Sequence, residues 1–108
     1  MTTRQITVIA YLTVQPGTEQ GFIDRFGTLV AQTRAEPGCI NYDFHQHETE
    51  PHRFIFYENY VDREAFNDHL NQSHTQEWIK YADTHDGHFD VDFWHMLSQH
   101  DRARKEEL

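Results

Sequence analysis

The pattern of apolar and polar positions along the chain predicts four strands. Residues 5–14 are rich in apolar and β-branched side chains on both faces, which predicts a first strand that is buried on both sides. Residues 39–47 and 53–61 alternate and are joined by a short polar loop, as expected of a hairpin. Residues 89–97 predict a fourth strand.

Apolar residues at helical spacing predict one long helix and two short ones. The long helix covers residues 19–35 and presents an apolar stripe. Asp62 is a suitable N-cap for a short helix near residues 63–71. The sequence from Ser73 to Gln76 matches the capping-box pattern and predicts a second short helix directly after the first.

The order of these elements is strand, helix, strand, strand, broken helix, strand. This is the ferredoxin-like split βαβ arrangement, an α+β fold with an antiparallel sheet. Its helices cover one face of the sheet, and the other face would carry aromatic side chains that a second sheet could bury. The pattern therefore predicts a homodimer of one domain, residues 1–108, in which the residues from about 100 onwards form a flexible tail.

Composition adds a second reason to expect a shared core or a ligand pocket. Aromatic residues make up 14% of the 108 residues, while all hydrophobic residues together make up 37%. So many aromatic side chains in a small domain favour a core shared with a partner chain or a pocket for a flat ligand. The alternative is that they only fill an ordinary core.

Charge and cysteine content limit the partners and the compartment. Eighteen acidic residues oppose nine basic ones, giving a formal charge of -9, which argues against binding to nucleic acid or to an anionic membrane. The single cysteine excludes an internal disulfide and a cysteine-rich metal site. No signal peptide and no apolar run long enough for a membrane span are visible, so the expected location is the cytoplasm.

Glu58 is the leading candidate for chemistry because it interrupts an apolar row. It is in phase with Phe56 and Tyr60 in the third strand, so its carboxyl group should be desolvated. Burial raises the pKa of a carboxyl group, and such a group can act as a general base or orient a histidine. The alternative is a structural acid that is paired with a histidine or a hydroxyl group.

His69 and His74 are the next candidates, since they flank the break between the two short helices. An imidazole there could lie at the mouth of a pocket and take a proton from a phenol or a carbon acid. The alternative is that both are surface residues or hydrogen-bonded fillers.

Several other side chains are candidates for substrate contacts. Asn41 lies on the polar face of the second strand and could hold a carbonyl or enolate oxygen if that face lines a cavity. Trp78 could form the wall of a pocket for a flat ring, or it could belong to the core. The remaining candidates for such a pocket are Phe26, Phe56 and Tyr60.

Motifs for metals and cofactors are weak. His45 and His47 could chelate a metal from one face of a strand, but no third ligand is visible at a suitable spacing. No glycine-rich phosphate loop or nucleophile elbow is present. The sequence therefore predicts neither a metal nor an organic cofactor.

The order of motifs between Glu36 and Trp78 resembles the antibiotic biosynthesis monooxygenase family. The resemblance begins at Glu36-Pro37-Gly38-Cys39, runs through the strand with its single acid, and covers most of the chain. It implies a dimeric α+β barrel. Members of this family include cofactor-free oxygenases of quinols and polyketide anthrones, haem-degrading enzymes and an isomerase of a phosphorylated signalling sugar. They often carry an acid in the third strand and two histidines at the positions of His69 and His74.

The resemblance makes one of these activities the leading hypothesis. Haem-degrading members use an asparagine in the first strand and a tryptophan at the end of the third, where this chain has Ala10 and Tyr60. The expected function is instead a cofactor-independent monooxygenase that uses dioxygen to oxidise a small quinol-like or polycyclic phenolic molecule. Glu58 and His69 would form the acid–base pair, and His74 or Asn41 would bind the oxygen. The alternatives are a non-catalytic dimer that binds a small aromatic ligand and an isomerase of a small carbonyl compound.

Overall fold

The computed structural model describes residues 4–98 and contains one four-stranded antiparallel sheet with three helices. The elements in chain order are β1 (Ile6–Thr13), α1 (Glu19–Arg34), β2 (Cys39–Gln46), β3 (Arg53–Tyr60), α2 (Arg63–Leu70), α3 (Ser73–Thr84) and β4 (His88–Trp94). The strand order is β2-β3-β1-β4. The predicted ferredoxin-like α+β fold is confirmed, and the predicted tail lies outside the described residues.

The sequence predicted a cap at the start of each of the two short helices, and only the first of these caps is confirmed. The side chain of Asp62 accepts a hydrogen bond from the backbone N–H of Ala65 at 2.8 Å, so it caps α2 as predicted. The capping box at Ser73 is wrong, because α3 begins at Ser73 itself and the cap position falls on Gln72. The side chain of Gln76 instead donates to the carbonyl of Leu70. Between residues 4 and 98, no helix is both long enough and apolar enough to cross a bilayer.

The helices cover one face of the sheet, here called the helical face. The alternation places Val8 and Leu12 of β1 and Phe54 and Phe56 of β3 on this face, and each is at most 2% exposed. Apolar side chains of α1 and the indole of Trp78 pack on this layer and complete the core. Burial of this apolar layer is the main term that holds the helices on the sheet.

The opposite side of the sheet, here called the open face, has no covering layer in the single chain. It carries the alternate residues Thr7, Ile9, Tyr11, Asn41, Asp43, Ile55, Tyr57, Asn59, Asp90, Asp92 and Trp94. Tyr11 is 39% exposed, so the prediction that β1 is buried on both faces is wrong for one chain. β4 also ends at Trp94, three residues earlier than predicted.

A shift in register, typical of a β-bulge, lies at the start of β2. Cys39 is opposite Tyr60, but Asn41 is opposite Asn59, so β2 contains one more residue than its partner over this interval. Regular alternation would place Cys39 and Tyr42 on different faces because they are three residues apart. The extra residue lets both lie buried in the core on the helical face.

The turn between α1 and β2 packs tightly on α2. A Cβ atom on Gly38 would overlap the Cβ of Ala65, so only glycine allows this approach. The carbonyl of Gly38 also accepts a hydrogen bond from the N–H of Val61 at 3.0 Å. These contacts hold Glu36, at the start of this turn, beside the helix that carries His69.

Candidate active site

A cavity of about 240 Å³ lies between the helical face of the sheet and helices α2 and α3. Its walls are mainly apolar and aromatic, with Phe56, Phe66, Trp78 and Phe89 among them. Four residues bring carboxyl, imidazole or hydroxyl groups to the walls, namely Tyr42, Glu58, His69 and Thr75. An apolar cavity with a few convergent polar groups is the usual form of a site for a small organic molecule.

Glu58 is buried in the sheet wall of this cavity. It lies between Val8 of β1 and Tyr42 of β2 and is 4% exposed. Burial raises the pKa of its carboxyl group to about 8, although the hydroxyl of Tyr60, which donates to Oε1 at 2.7 Å, partly opposes the shift. The charge of Glu36 raises the pKa further. Glu58 is therefore mostly protonated at neutral pH and can donate a proton.

His69 contributes the second titratable group of the cavity, from the last turn of α2. The imidazole is 4% exposed, and burial lowers its pKa, while Glu36 partly opposes the shift. Its Nδ1 lies 3.0 Å from Oε2 and 3.2 Å from Oε1 of Glu36. A neutral imidazole that donates Nδ1–H to this carboxylate keeps Nε2 unprotonated, so Nε2 can accept a proton.

The two groups have opposite pKa shifts within one cavity. Glu58 holds its proton at a pH where a carboxyl group is ordinarily ionised, and His69 stays neutral. Titratable groups whose surroundings separate their pKa values in this way are suited to acid and base roles in one reaction. The sequence predicted this pair of residues but not which of them carries the proton.

Glu36 also binds His74, and together with His69 these residues form the Glu36 cluster (Glu36, His69 and His74). The Oε2 atom of Glu36 lies 2.6 Å from Nε2 of His74. Within residues 4–98 this is the one group of three histidine, cysteine or acidic residues that could hold a metal ion, with donor atoms all within 4.8 Å of one another. Glu36 was not predicted as a site residue, because 33 and 38 residues separate it from the two histidines.

Of the other residues that the sequence predicted, Phe56 and Trp78 line the cavity. Tyr60 is fully buried behind the wall, and its contribution is the hydrogen bond to Glu58. His74 is not among the lining residues and connects with the cavity only through the carboxylate of Glu36 and the ring of His69. These four residues therefore divide into two that line the cavity and two that hold lining residues in place.

The structure places two of the predicted substrate contacts away from the cavity. Asn41 lies on the open face, where its amide donates to Oδ2 of Asp43 at 3.1 Å and to the carbonyl of Tyr57 at 3.3 Å. Phe26 is 1% exposed and packs behind Trp78, with 5.0 Å between the ring centroids. Asn41 is on the wrong side because the helices cover the other face of β2.

The chelating pair of His45 and His47, which strand alternation alone would have allowed, does not form. His47 lies beyond the end of β2, and its Nδ1 accepts hydrogen bonds from the backbone N–H groups of Thr49 and Glu50 at 3.1 and 3.0 Å. His45 remains on the exposed edge of the strand. The two imidazoles therefore do not share one strand face.

Two residues with hydroxyl groups in the cavity, Tyr42 and Thr75, were not predicted as site residues. Tyr42 is in phase with Phe44 on the apolar side of β2, and this periodicity was a usable signal. Burial raises the pKa of the Tyr42 hydroxyl, which therefore stays protonated. Thr75 had no comparable signal, since its position depends on how α3 packs against α2.

Comparisons with known proteins identify the family and several relatives of this chain. The family described as antibiotic biosynthesis monooxygenase matches residues 5–81, a region that contains Glu58 and the whole Glu36 cluster. The chain is 33% identical over 75 residues to the uncharacterized protein sll1783 of Synechocystis, which covers 69% of this chain and 51% of that protein. The chain thus spans about half the length of that relative.

Two further proteins are similar over most of their length. The chain is 30% identical over 74 residues to YcnE of Bacillus subtilis, a candidate monooxygenase by its name, with 68% of this chain and 78% of that protein covered. The crystal structure of PA3566 from Pseudomonas aeruginosa superposes with a TM-score of 0.82 at 28% identity. That alignment covers 91% of this chain and 99% of the other.

Proposed function

Because the chain belongs to the antibiotic biosynthesis monooxygenase family, we propose that it is a cofactor-independent monooxygenase of a quinol-like or polycyclic phenolic molecule. The observation that carries this proposal is the pair of Glu58 and His69, whose pKa values are shifted in opposite directions in one apolar cavity. The aromatic walls suit a flat ring, and the buried acid and base suit proton transfer to and from it.

His69 is the base in this proposal. Its Nε2 takes a proton from a phenolic hydroxyl or an acidic carbon of the substrate, and the carboxylate of Glu36 on Nδ1 stabilises the imidazolium that results. The same arrangement of an acid on one imidazole nitrogen and a substrate on the other operates in catalytic triads. The apolar walls strengthen this electrostatic interaction because they exclude water.

The substrate anion then supplies the electrons that reduce dioxygen. One oxygen atom forms a bond to the oxidised carbon and remains in the product. The O–O bond breaks, and the second oxygen leaves as water together with two hydrogen atoms of the substrate, so that the four electrons taken up by dioxygen all come from the substrate. Glu58 is protonated at neutral pH and donates to the departing oxygen.

Oxygen consumption tests this function directly. Chelator-treated protein is mixed with a panel of hydroquinones and anthrones, and we expect uptake above the autoxidation rate that disappears in the Glu58→Ala/His69→Ala double variant. The released product should contain one oxygen atom from ¹⁸O₂. Saturable binding of a panel member without uptake would instead favour a binding protein, and conversion of a carbonyl compound without uptake would favour an isomerase.

We also infer that two chains associate through their open faces. Tyr11, Ile55 and Trp94 are 39%, 37% and 55% exposed on that face, and a second sheet would bury them. Light scattering should give the mass of two chains, and Ile55→Lys should shift it toward that of one chain. Val61→Lys is the matched control, since Val61 is 43% exposed but follows the end of β3. A single-chain mass for the unmodified protein would contradict this inference.

A further inference from the structure

The Glu36 cluster has the composition of a metal site. We propose that Glu36, His69 and His74 bind one divalent first-row transition-metal ion, with Zn²⁺ as the best match to two imidazoles and a carboxylate. Three protein ligands leave a fourth tetrahedral position for water. The proposal concerns binding and does not depend on the oxygenase activity proposed above.

The distances within the cluster are close to those that an ion requires. Zinc bonds of about 2.0–2.1 Å place tetrahedral ligand atoms roughly 3.4 Å apart. Nδ1 of His69 is 3.0 Å from Oε2 of Glu36, and Nε2 of His74 is 2.6 Å from the same atom. Both distances are within about 1 Å of this separation, and all donor atoms of the cluster lie within 4.8 Å of one another. His74 is the second residue of α3, where a side chain can rotate without disturbing the core.

Burial favours an ion over solvent at this position. The side chains of Glu36, His69 and His74 are 9%, 5% and 13% exposed, so water has little access to the donor atoms. Without an ion, the carboxylate accepts hydrogen bonds from both imidazoles. With an ion, the same atoms become ligands, and each imidazole supplies the lone pair of the nitrogen that faces Glu36.

An acidic depression beside the cluster provides a path for a cation. It has a volume of about 510 Å³ and is lined by Glu36 itself together with Asp62, Glu64 and Asp68. No Lys, Arg or His is among the described residues that line it. A concave surface with charges of one sign concentrates counter-ions, so this depression should raise the local concentration of a divalent cation next to Glu36.

Metal binding has a consequence for the base. An ion on Nδ1 of His69 forces the ring proton onto Nε2, and Nε2 can then no longer accept a proton from a substrate. This consequence, unlike the binding, rests on the proposed function. We expect that a chain with an ion at this site is inactive as an oxygenase, so that Zn²⁺ inhibits oxygen uptake and a chelator restores it.

Titration with Co²⁺ tests the site without any substrate. Tetrahedral Co²⁺ absorbs in the visible range, and we expect this absorption to saturate at one ion per chain and to disappear when Zn²⁺ is added. Glu36→Gln and His74→Ala each remove a ligand, and each should weaken Co²⁺ binding by at least about 100-fold, the upper end of the cost of losing an outer-shell partner. The His45→Ala/His47→Ala double variant, which removes two surface imidazoles, should bind like the unmodified protein.

The same variants would also show if the Glu36 cluster does not bind the ion. Equal binding by Glu36→Gln, His74→Ala and the unmodified chain, or loss of binding only in the double variant, would assign the ion to surface histidines. Absence of saturable binding would leave the cluster as a hydrogen-bonded structure only. Circular dichroism of each variant confirms folding, and His74→Ala remains informative if Glu36→Gln does not fold. Failure of the oxygen assay would not affect these readouts.

Discussion

Replacing His69 with alanine is expected to lower kcat/KM for the true substrate by about 10²–10⁴-fold, the usual contribution of a positioned general base. His69 is the neutral imidazole of the cavity, and its Nε2 is the nitrogen left available once Glu36 binds Nδ1. No other imidazole is among the described residues that line this cavity, so no neighbouring histidine can take over this role. Steady-state oxygen uptake with metal-free protein measures the effect.

A second histidine variant separates this role from a general effect of losing an imidazole. The side chain of His88 is 74% exposed at the start of β4 and is not among the residues that line the cavity, so His88→Ala should retain the activity of the unmodified protein. If His69→Ala also retains activity within about threefold, His69 is not the base, because even a weak general base contributes more than that. Substrate binding measured in the absence of oxygen shows whether the loss is in chemistry or in affinity.

The second large effect concerns stability and pH. The carboxyl group of Glu58 has a pKa of about 8 in the folded chain against an ordinary value of 4.5. Below about pH 4.5 both the folded and the unfolded chain hold this proton, and the group then does not lower the free energy of unfolding. As the pH rises to about 8, the unfolded chain releases the proton while the folded chain retains it, so the free energy of unfolding falls by roughly 5 kcal/mol from this group alone.

Glu58→Gln isolates this contribution from all other titrating groups. The glutamine carbonyl can still accept the hydrogen bond that Tyr60 donates, but it cannot ionise. We expect the variant and the unmodified chain to have similar stability near pH 4.5, and the variant to become more stable by several kcal/mol near pH 9. Urea denaturation at one fixed protein concentration measures the difference, since association of chains would add its own contribution. Parallel stability profiles across this range would show that Glu58 is not desolvated as the fold implies.

The fold and the burial of Glu58 were predictable because both follow from local periodicity. A period of two in β3 is sufficient to place Glu58 in the same row as Phe56 and Tyr60, and burial of that row raises the pKa of its carboxyl group. The apolar stripe of α1 predicted which helix face meets the sheet. Such signals depend on a few neighbouring residues and do not require the tertiary structure.

The rest of the site depends on contacts between distant segments. The alternation of β2 shows that Asn41 and Tyr42 lie on different faces, but only the packing of the helices decides which face borders the cavity. No spacing connects Glu36 with His69, because their contact is created by the close approach of the turn at Gly38 to α2. His74 was predicted as a site residue, and its partner in the structure is this carboxylate and not a group in the cavity.

The register shift at the start of β2 also matters for anyone who redesigns this chain. A mutagenesis library that treats residues 39–46 as a regular strand would assign Cys39 to the solvent side and vary it freely. Cys39 is 1% exposed and lies opposite Tyr60, the residue that holds Glu58. Deleting Ile40 would remove the extra residue and leave a regular alternation in which Cys39 and Tyr42 still share the helical face, whereas an insertion farther along β2 would move one side of the strand to the opposite face. A library for this segment should therefore hold Cys39 fixed as a core residue, although simple alternation would assign it to solvent.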